Sequence, residues 1–144
     1  MRPYVDGDLE RLIAIIRDHL EDDVTRHIGP WAASEAMLRG AIPRARDDVQ
    51  VVEIAGEIVG FVWVDHRDDC LYVEEIHVIE SARGTGLGRT LMEEVERQAK
   101  QRGHSEIRLS VFSDSPGVSF YKRLGFAVVG RATHRNQLHL RKAV

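Results

Sequence analysis

Residues 71–102 read as a strand that runs into a glycine-rich turn and out again into a helix. The strand is Leu71-Tyr72-Val73-Glu74-Glu75-Ile76-His77-Val78-Ile79, and the turn is Arg83-Gly84-Thr85-Gly86-Leu87-Gly88. Over Arg89 to Arg102, Leu91, Met92, Val95 and Ala99 recur at helical spacing. The first turn of a helix carries N–H groups with no intrahelical partner, and aligned peptide dipoles place about half a positive charge there. Glycines at 84, 86 and 88 remove the Cβ atoms that would hold a diphosphate away from those donors. The arrangement predicts a phosphate cradle.

Two familiar phosphate loops fit poorly. A Walker A loop needs Gly-Lys-Ser/Thr at the helix start, whereas Gly88 is followed by Arg89-Thr90. A dinucleotide fingerprint needs G-x-G-x-x-G at the opening of a parallel unit, and here the spacing is G-x-G-x-G past the middle of a short chain. The pattern Arg-x-x-Gly-x-Gly, present as Arg83, Gly86 and Gly88, resembles the pyrophosphate loop of the GNAT superfamily of N-acetyltransferases, which bind acetyl-CoA. Val78 to Gly84 is similar to that family's strand-to-loop junction, with Glu80 where a proline is common.

A second stretch carries the same resemblance. Leu109 to Phe112 reads as a strand, Ser113 to Gly117 as a break, and Val118 to Arg123 as a short helix stopped by Gly125. In the superfamily, a Tyr four residues before the Gly of a closing Leu-Gly-Phe lies near the acetyl-CoA thiol, and Tyr121 matches it. The family's frequent Asn seven residues before that Tyr is Asp114 here, and an ionised Asp accepts but does not donate. Gly117 matches a frequent small residue. By this resemblance His77, Val78, Ile79, Arg83, Gly84, Thr85, Gly86, Leu87, Gly88, Arg89, Asp114, Gly117, Tyr121 and Lys122 bind the cofactor. The likeness extends to Arg2-Pro3-Tyr4 with Asp6 and Asp8, to Val51–Asp65, and to Thr133–Leu140.

Composition sets the remaining bounds. The length of 144 residues with 43% apolar content suits a single domain, 1–144, around one core. No apolar run is long enough to span a bilayer, and no secretory signal opens the chain. Cys70 is the one cysteine, which excludes an intrachain disulfide and fits a reducing, cytoplasmic setting. A net charge of −3 argues against nucleic-acid binding. Basic side chains concentrate after Asp114, beyond which no acidic side chain occurs. Either they attract the cofactor's adenosine 3′-phosphate, Lys122 and Arg123 foremost, or they form a solvated face.

The predicted elements begin with a strand at Arg2–Val5 and a helix striped by Leu9, Leu12, Ile13, Ile16 and Leu20, capped by Asp6 or Asp8. Residues 22–33 read as irregular with a Gly29-Pro30 break, and Ser34–Arg39 as a brief helix ended by Gly40. Val49–Ile54 and Ile58–Val64 form a hairpin. Strands at Glu106–Val111, Ala127–Arg131 and Leu138–Leu140 complete an α/β fold: one mixed, mostly antiparallel sheet with helices on both faces. The resemblance implies a V-shaped splay between strands 4 and 5, into which pantetheine enters.

Acetyl transfer to an amine needs a neutral nucleophile, a stabilised carbonyl oxygen and a protonated leaving thiolate. The resemblance implies the backbone N–H of Val78 for the oxygen and Tyr121 for the thiolate. Strand alternation sends Glu74 and Glu75 to opposite faces unless a bulge intervenes. The acidic pair resembles that of spermidine/spermine acetyltransferase, which makes Glu74 the candidate base and Glu75 a substrate-orienting charge. His77 falls on the Glu75 face, and His134 near the closing hairpin. No histidine pair shows ligand spacing beside a third ligand, so no metal is expected. Asp22, Asp23, His27, Trp31, Met37 and Trp63 are candidates for the acceptor side. The expectation is direct transfer in a ternary complex from acetyl-CoA to a primary amine of a small molecule, with a homodimer suggested by the family. A protein or peptide acceptor and a non-catalytic CoA-binding module are the alternatives.

Overall fold

The computed structural model describes residues 1–144. Seven strands build one sheet: β1 (Arg2–Pro3), β2 (Val49–Ile54), β3 (Glu57–His66), β4 (Leu71–Val78), β5 (Glu106–Phe112), β6 (Ala127–Ala132) and β7 (Gln137–Ala143). Their spatial order is β1-β2-β3-β4-β5-β7-β6, antiparallel throughout except for the parallel β4–β5 pair. Four helices, α1 (Leu9–His27), α2 (Trp31–Arg44), α3 (Leu87–Gln101) and α4 (Gly117–Arg123), complete the predicted order.

Each face of the sheet has its own core. Leu12, Ile13, Ile16, Leu38 and Ile42 of α1 and α2 pack on Val49, Val51 and Phe61. On the other face Leu91, Met92, Val95 and Ala99 of α3 pack on Val62, Val64, Leu71, Val73, Ile107 and Leu140. Burying each large aliphatic side chain is worth about 1.5–3 kcal/mol, which is why the apolar stripe of α3 decides its orientation. The helix leans onto β3 at Gly60, where a Cβ would stand 2.9 Å from the His77 carbonyl oxygen and 3.6 Å from Leu87 and Leu91.

The helical region departs from its sequence reading. In place of an irregular stretch over 22–33, α1 continues to His27 and α2 begins at Trp31. Glu21, Asp22, Thr25 and Arg26 are solvent-exposed while Val24 stays buried, so the polar run is the outer face of a helix. Gly40 does not end α2. A glycine inside a helix costs only about 1 kcal/mol, and burial of Leu38 and Ile42 on either side offsets it. The Gly29-Pro30 break stands, with Pro30 immediately before α2.

Asp8 acts one turn earlier than a cap of α1. Its buried carboxylate accepts the Val5 N–H at 2.9 Å and two Arg2 N–H groups at 2.9 and 3.0 Å. The Arg2 guanidinium holds this carboxyl below the usual carboxylate range, against the opposing effect of burial. A depressed carboxyl stabilises the fold above its unfolded pKa of about 3.9 and loses that contribution as pH falls through the folded value. Asp8→Ala is expected to cost about 1–2 kcal/mol at pH 7 by chemical denaturation. The gap from the unsubstituted protein should shrink as pH drops below about 4.

The sheet is open in one place. β4 and β5 pair only through Leu71–Val73 with Ile107–Leu109. β4 runs on to Val78 and β5 to Phe112 without further pairing, so the two strands diverge into a V-shaped cleft.

Candidate active site

The glycine-rich loop stands at the wide end of this cleft. After a short turn at Glu80–Ala82, Gly84 and Gly86 take φ of +76° and +84°. Residues with a Cβ avoid this left-handed region, and Gly86 there turns the chain into α3. The α3 ladder begins with Thr90 N–H to the Gly86 carbonyl at 3.0 Å. The N–H groups of Leu87, Gly88 and Arg89 therefore have no intrahelical partner. Thr85 and Thr90 donate their hydroxyls to the Ala82 and Gly86 carbonyls at 2.6 and 3.1 Å, which spends no backbone donor. Gly88 has a different reason. A Cβ there would sit 3.2 Å from the Phe120 ring, so this glycine lets α4 pack against the start of α3.

The cleft edge of β4 is also free. Ile79 donates its N–H to the Val59 carbonyl on β3 at 2.9 Å. Backbone direction alternates along a strand, so the Val78 N–H points the other way, into the gap where β5 has departed. Tyr121, on α4, meets the rings of Phe120 and Phe126 edge-on at 5.3 and 5.8 Å. Its hydroxyl makes no hydrogen bond within the protein. Burial foremost, and the nearby negative charge of Glu75 second, hold the phenol well above its ordinary pKa, so it keeps its proton at neutral pH.

Glu74 and Glu75 share a face. On β3, Trp63 pairs with Glu75 and Val64 with Val73, which leaves Glu74 as the extra residue of a β-bulge. Val73 and Ile76 both pack in the α3 core, so the two glutamates between them turn together toward the opposite side. Glu74 accepts from Arg67 at 3.1 Å, and Arg67 lies over the Tyr72 ring at 3.9 Å. Burial raises the Glu74 pKa, with Arg67 opposing. Glu75 is 2.6 Å from His77 Nε2 and is the carboxylate whose charge reaches Tyr121.

His77 faces the Glu75 side, as alternation predicts, and its side chain is buried there. Its ring stacks on Phe61 at 5.4 Å, and its Nδ1 lies 2.8 Å from Nδ1 of His19 on α1. Arg83 donates to the Val78 carbonyl at 3.2 Å and lies 3.1 Å from His19 Nε2. Fifty-eight residues separate the two histidines, so nothing in the local sequence pointed to His19.

The residues expected on the acceptor side are only partly brought together. Tyr72, Ser110 and His139 form a hydrogen-bonded line across β4, β5 and β7, at 2.8 and 2.9 Å. Asp23, His27 and Asp114 come together with their ligand atoms within 4.8 Å of one another. Asn136, in the β6–β7 turn, contacts both His27 and Asp114 at 3.4 Å. The third group beside the Asp23–His27 pair comes from another loop, out of reach of sequence spacing. Trp63 packs against the α1–α2 core, Trp31 donates to Glu35 at 3.2 Å, and Asp22, Met37 and His134 are exposed. Gly117 is fixed by packing, since a Cβ would stand 3.2 Å from Ser115 Oγ and 3.4 Å from the Tyr121 ring.

The basic C-terminal third is partly neutralised from within the chain. Arg141 pairs with Glu106, and Lys142 with Glu96 at 3.1 Å. Lys122 and Arg123 are exposed without an acidic partner, and Arg89 and Arg123 border a depression between α3 and α4. No helix is long and apolar enough to cross a membrane.

A mixed sheet splayed at β4–β5, with a free helix N-terminus at the splay, defines the class of fold and leaves donors that an anionic ligand can meet. The comparisons with known proteins then fix the family. Residues 13–126 match the acetyltransferase (GNAT) family, and the chain belongs to it. It is 35% identical to a streptothricin acetyltransferase of Streptomyces lavendulae over 78 residues, which is 52% of this chain and 41% of that protein. It is 32% identical to a mycothiol acetyltransferase of Corynebacterium jeikeium over 111 residues, 69% of this chain and 32% of that one. The chain thus spans less than half the length of these curated relatives. Among solved structures, the PaiA N-acetyltransferase of Thermoplasma acidophilum in complex with coenzyme A superposes with a TM-score of 0.81 at 22% identity, covering 99% of this chain and 97% of that one. That likeness is one of fold.

Proposed function

We propose that this chain transfers an acetyl group from acetyl-CoA to a primary amine of a small molecule, by direct attack within a ternary complex. The observation that carries the reading is the conjunction at the cleft. Unpartnered N–H groups at Leu87–Arg89 and at Val78 face a gap that also holds a free phenol and a carboxylate. The amides of 87–89, opened by Gly84 and Gly86, hold the diphosphate, with Arg83 beside them. Arg89, Lys122 and Arg123 supply charge for the remaining phosphate.

Val78 N–H stabilises the carbonyl oxygen as the amine nitrogen attacks the thioester carbon. Glu75 takes the amine proton, and Tyr121 gives its own to sulfur as the carbon–sulfur bond breaks. This exchanges the roles that sequence alone gave the two glutamates. Glu75 is the carboxylate whose charge reaches Tyr121, whereas Glu74 is engaged by Arg67. Glu74 and Trp63, together with Asp22, Asp23 and Asp114 on the α1 end and the β5–α4 loop, favour a cationic acceptor. The relatives named for streptothricin and mycothiol support a small-molecule acceptor.

The test is release of CoA thiol from acetyl-CoA across a panel of mono- and polyamines, amino sugars, amino acids and short peptides. The expected result is turnover with a small cationic amine and none with peptides. CoA binding without turnover on any member would instead support a binding module.

A further inference from the structure

Three contacts connect the loop arginine to the carboxylate proposed as the base, and their chemistry permits one assignment. An ionised Glu75 only accepts, so the 2.6 Å contact places a proton on His77 Nε2. A guanidinium only donates, so Arg83 leaves His19 Nε2 bare at 3.1 Å. His19 therefore carries its proton on Nδ1 and donates it across 2.8 Å to His77 Nδ1, which must be bare. Both rings are neutral, and every donor along the line points toward Glu75. A protonated His19 would set N–H against guanidinium, and a protonated His77 would set N–H against N–H. Burial first, then the neighbouring His77 and Arg83, lower the His19 pKa to about 4, against the opposing pull of Asp18.

We propose that His19 is a positioning residue for acetyl transfer, which fixes His77 as the tautomer that donates to Glu75 and so keeps that carboxylate oriented toward the amine. This rests on the reading of Glu75 as the base. The groups facing His77 are Glu75 from its own strand, His19 from α1 and the Phe61 ring from β3. Without the His19 donor, His77 can carry its proton on Nδ1 instead. That tautomer sets a bare Nε2 against the carboxylate, so Glu75 loses the donor that orients it.

Two amide substitutions separate the halves of the His19 contact. In His19→Asn the amide nitrogen stands near the position of Nδ1 and can donate to His77, while the Arg83 contact is lost. In His19→Gln the amide reaches the position of Nε2 and can accept from Arg83, while the donor to His77 is lost. Long-range ¹H–¹⁵N NMR of the histidine rings, recorded without substrate, reads the tautomers directly. The unsubstituted protein should show His77 protonated at Nε2 and His19 at Nδ1. His19→Asn should keep that His77 state and remain within about threefold in kcat. His19→Gln should lose the single tautomer and about tenfold in kcat, at unchanged KM for acetyl-CoA. A His77 protonated at Nδ1 in the unsubstituted protein, or equal kcat for the two variants, overturns the proposal and leaves the base reading intact. Full kcat in Glu75→Gln overturns the base reading itself, whatever the tautomers.

Discussion

Replacing Gly86 with valine is expected to abolish measurable binding of acetyl-CoA while leaving a folded protein. A valine at φ +84° is strained by about 1–2 kcal/mol whatever space surrounds it, and a Cβ at this position meets nothing within 4 Å. The cost to the fold is therefore confined to the backbone, and the simplest relief is to rotate φ to a negative value. That rotation carries the amides leading into α3 away from their present direction. A hydrogen bond from an N–H to a charged oxygen is worth about 1.5–3 kcal/mol, so misdirecting two of them weakens binding by roughly 10² to 10⁴-fold. Thermal unfolding and calorimetric titration on the same sample separate the two effects. An unfolding temperature within a few degrees of the parent, with binding lost, is the expected pair of results. Retained affinity would mean that the loop does not hold the diphosphate.

Tyr121→Phe is the second large effect, and it falls on the chemical step. The phenol is held protonated at neutral pH by burial and by Glu75, and its hydroxyl has no other partner to satisfy. A thiol leaves as an anion with a pKa of about 8.5, so a proton donor at sulfur lowers the barrier of its departure. Removing the hydroxyl is expected to reduce kcat about 10²-fold and change acetyl-CoA affinity less than twofold, because the ring and its edge contacts with Phe120 and Phe126 remain. An acetyl thioester whose leaving thiol is much more acidic should restore most of the lost rate. Unchanged kcat with chemistry rate-limiting would remove Tyr121 from the acid role.

The parts of this site that were legible in the sequence are those written in consecutive residues. Strand, glycine turn and helix over 71–102 declare themselves through alternation, absent Cβ atoms and helical spacing, and the short α4 ends before Gly125 as its pattern says. The order of all eleven elements followed from the same local signals. What escaped depends on partners far along the chain. The bulge at Glu74 is a matter of register with Trp63 and Val64, and it overturned the expectation that Glu74 and Glu75 diverge. Gly88 reads as part of the phosphate loop, yet its missing Cβ is filled by Phe120, thirty-two residues later in numbering. Nothing local marks His19, which reaches His77 only because α1 is laid over β4. The polar stretch after Leu20 was misread because exposed helix and loop share a composition, and only the burial of Val24 distinguishes them.

One titration bears on everything proposed for this molecule. Acetyl-CoA added to the folded, unsubstituted protein should give saturable heat with one site per chain, and the affinity should fall as salt screens the phosphates. A cooperatively folded sample that takes up neither acetyl-CoA nor CoA would contradict the reading at its root.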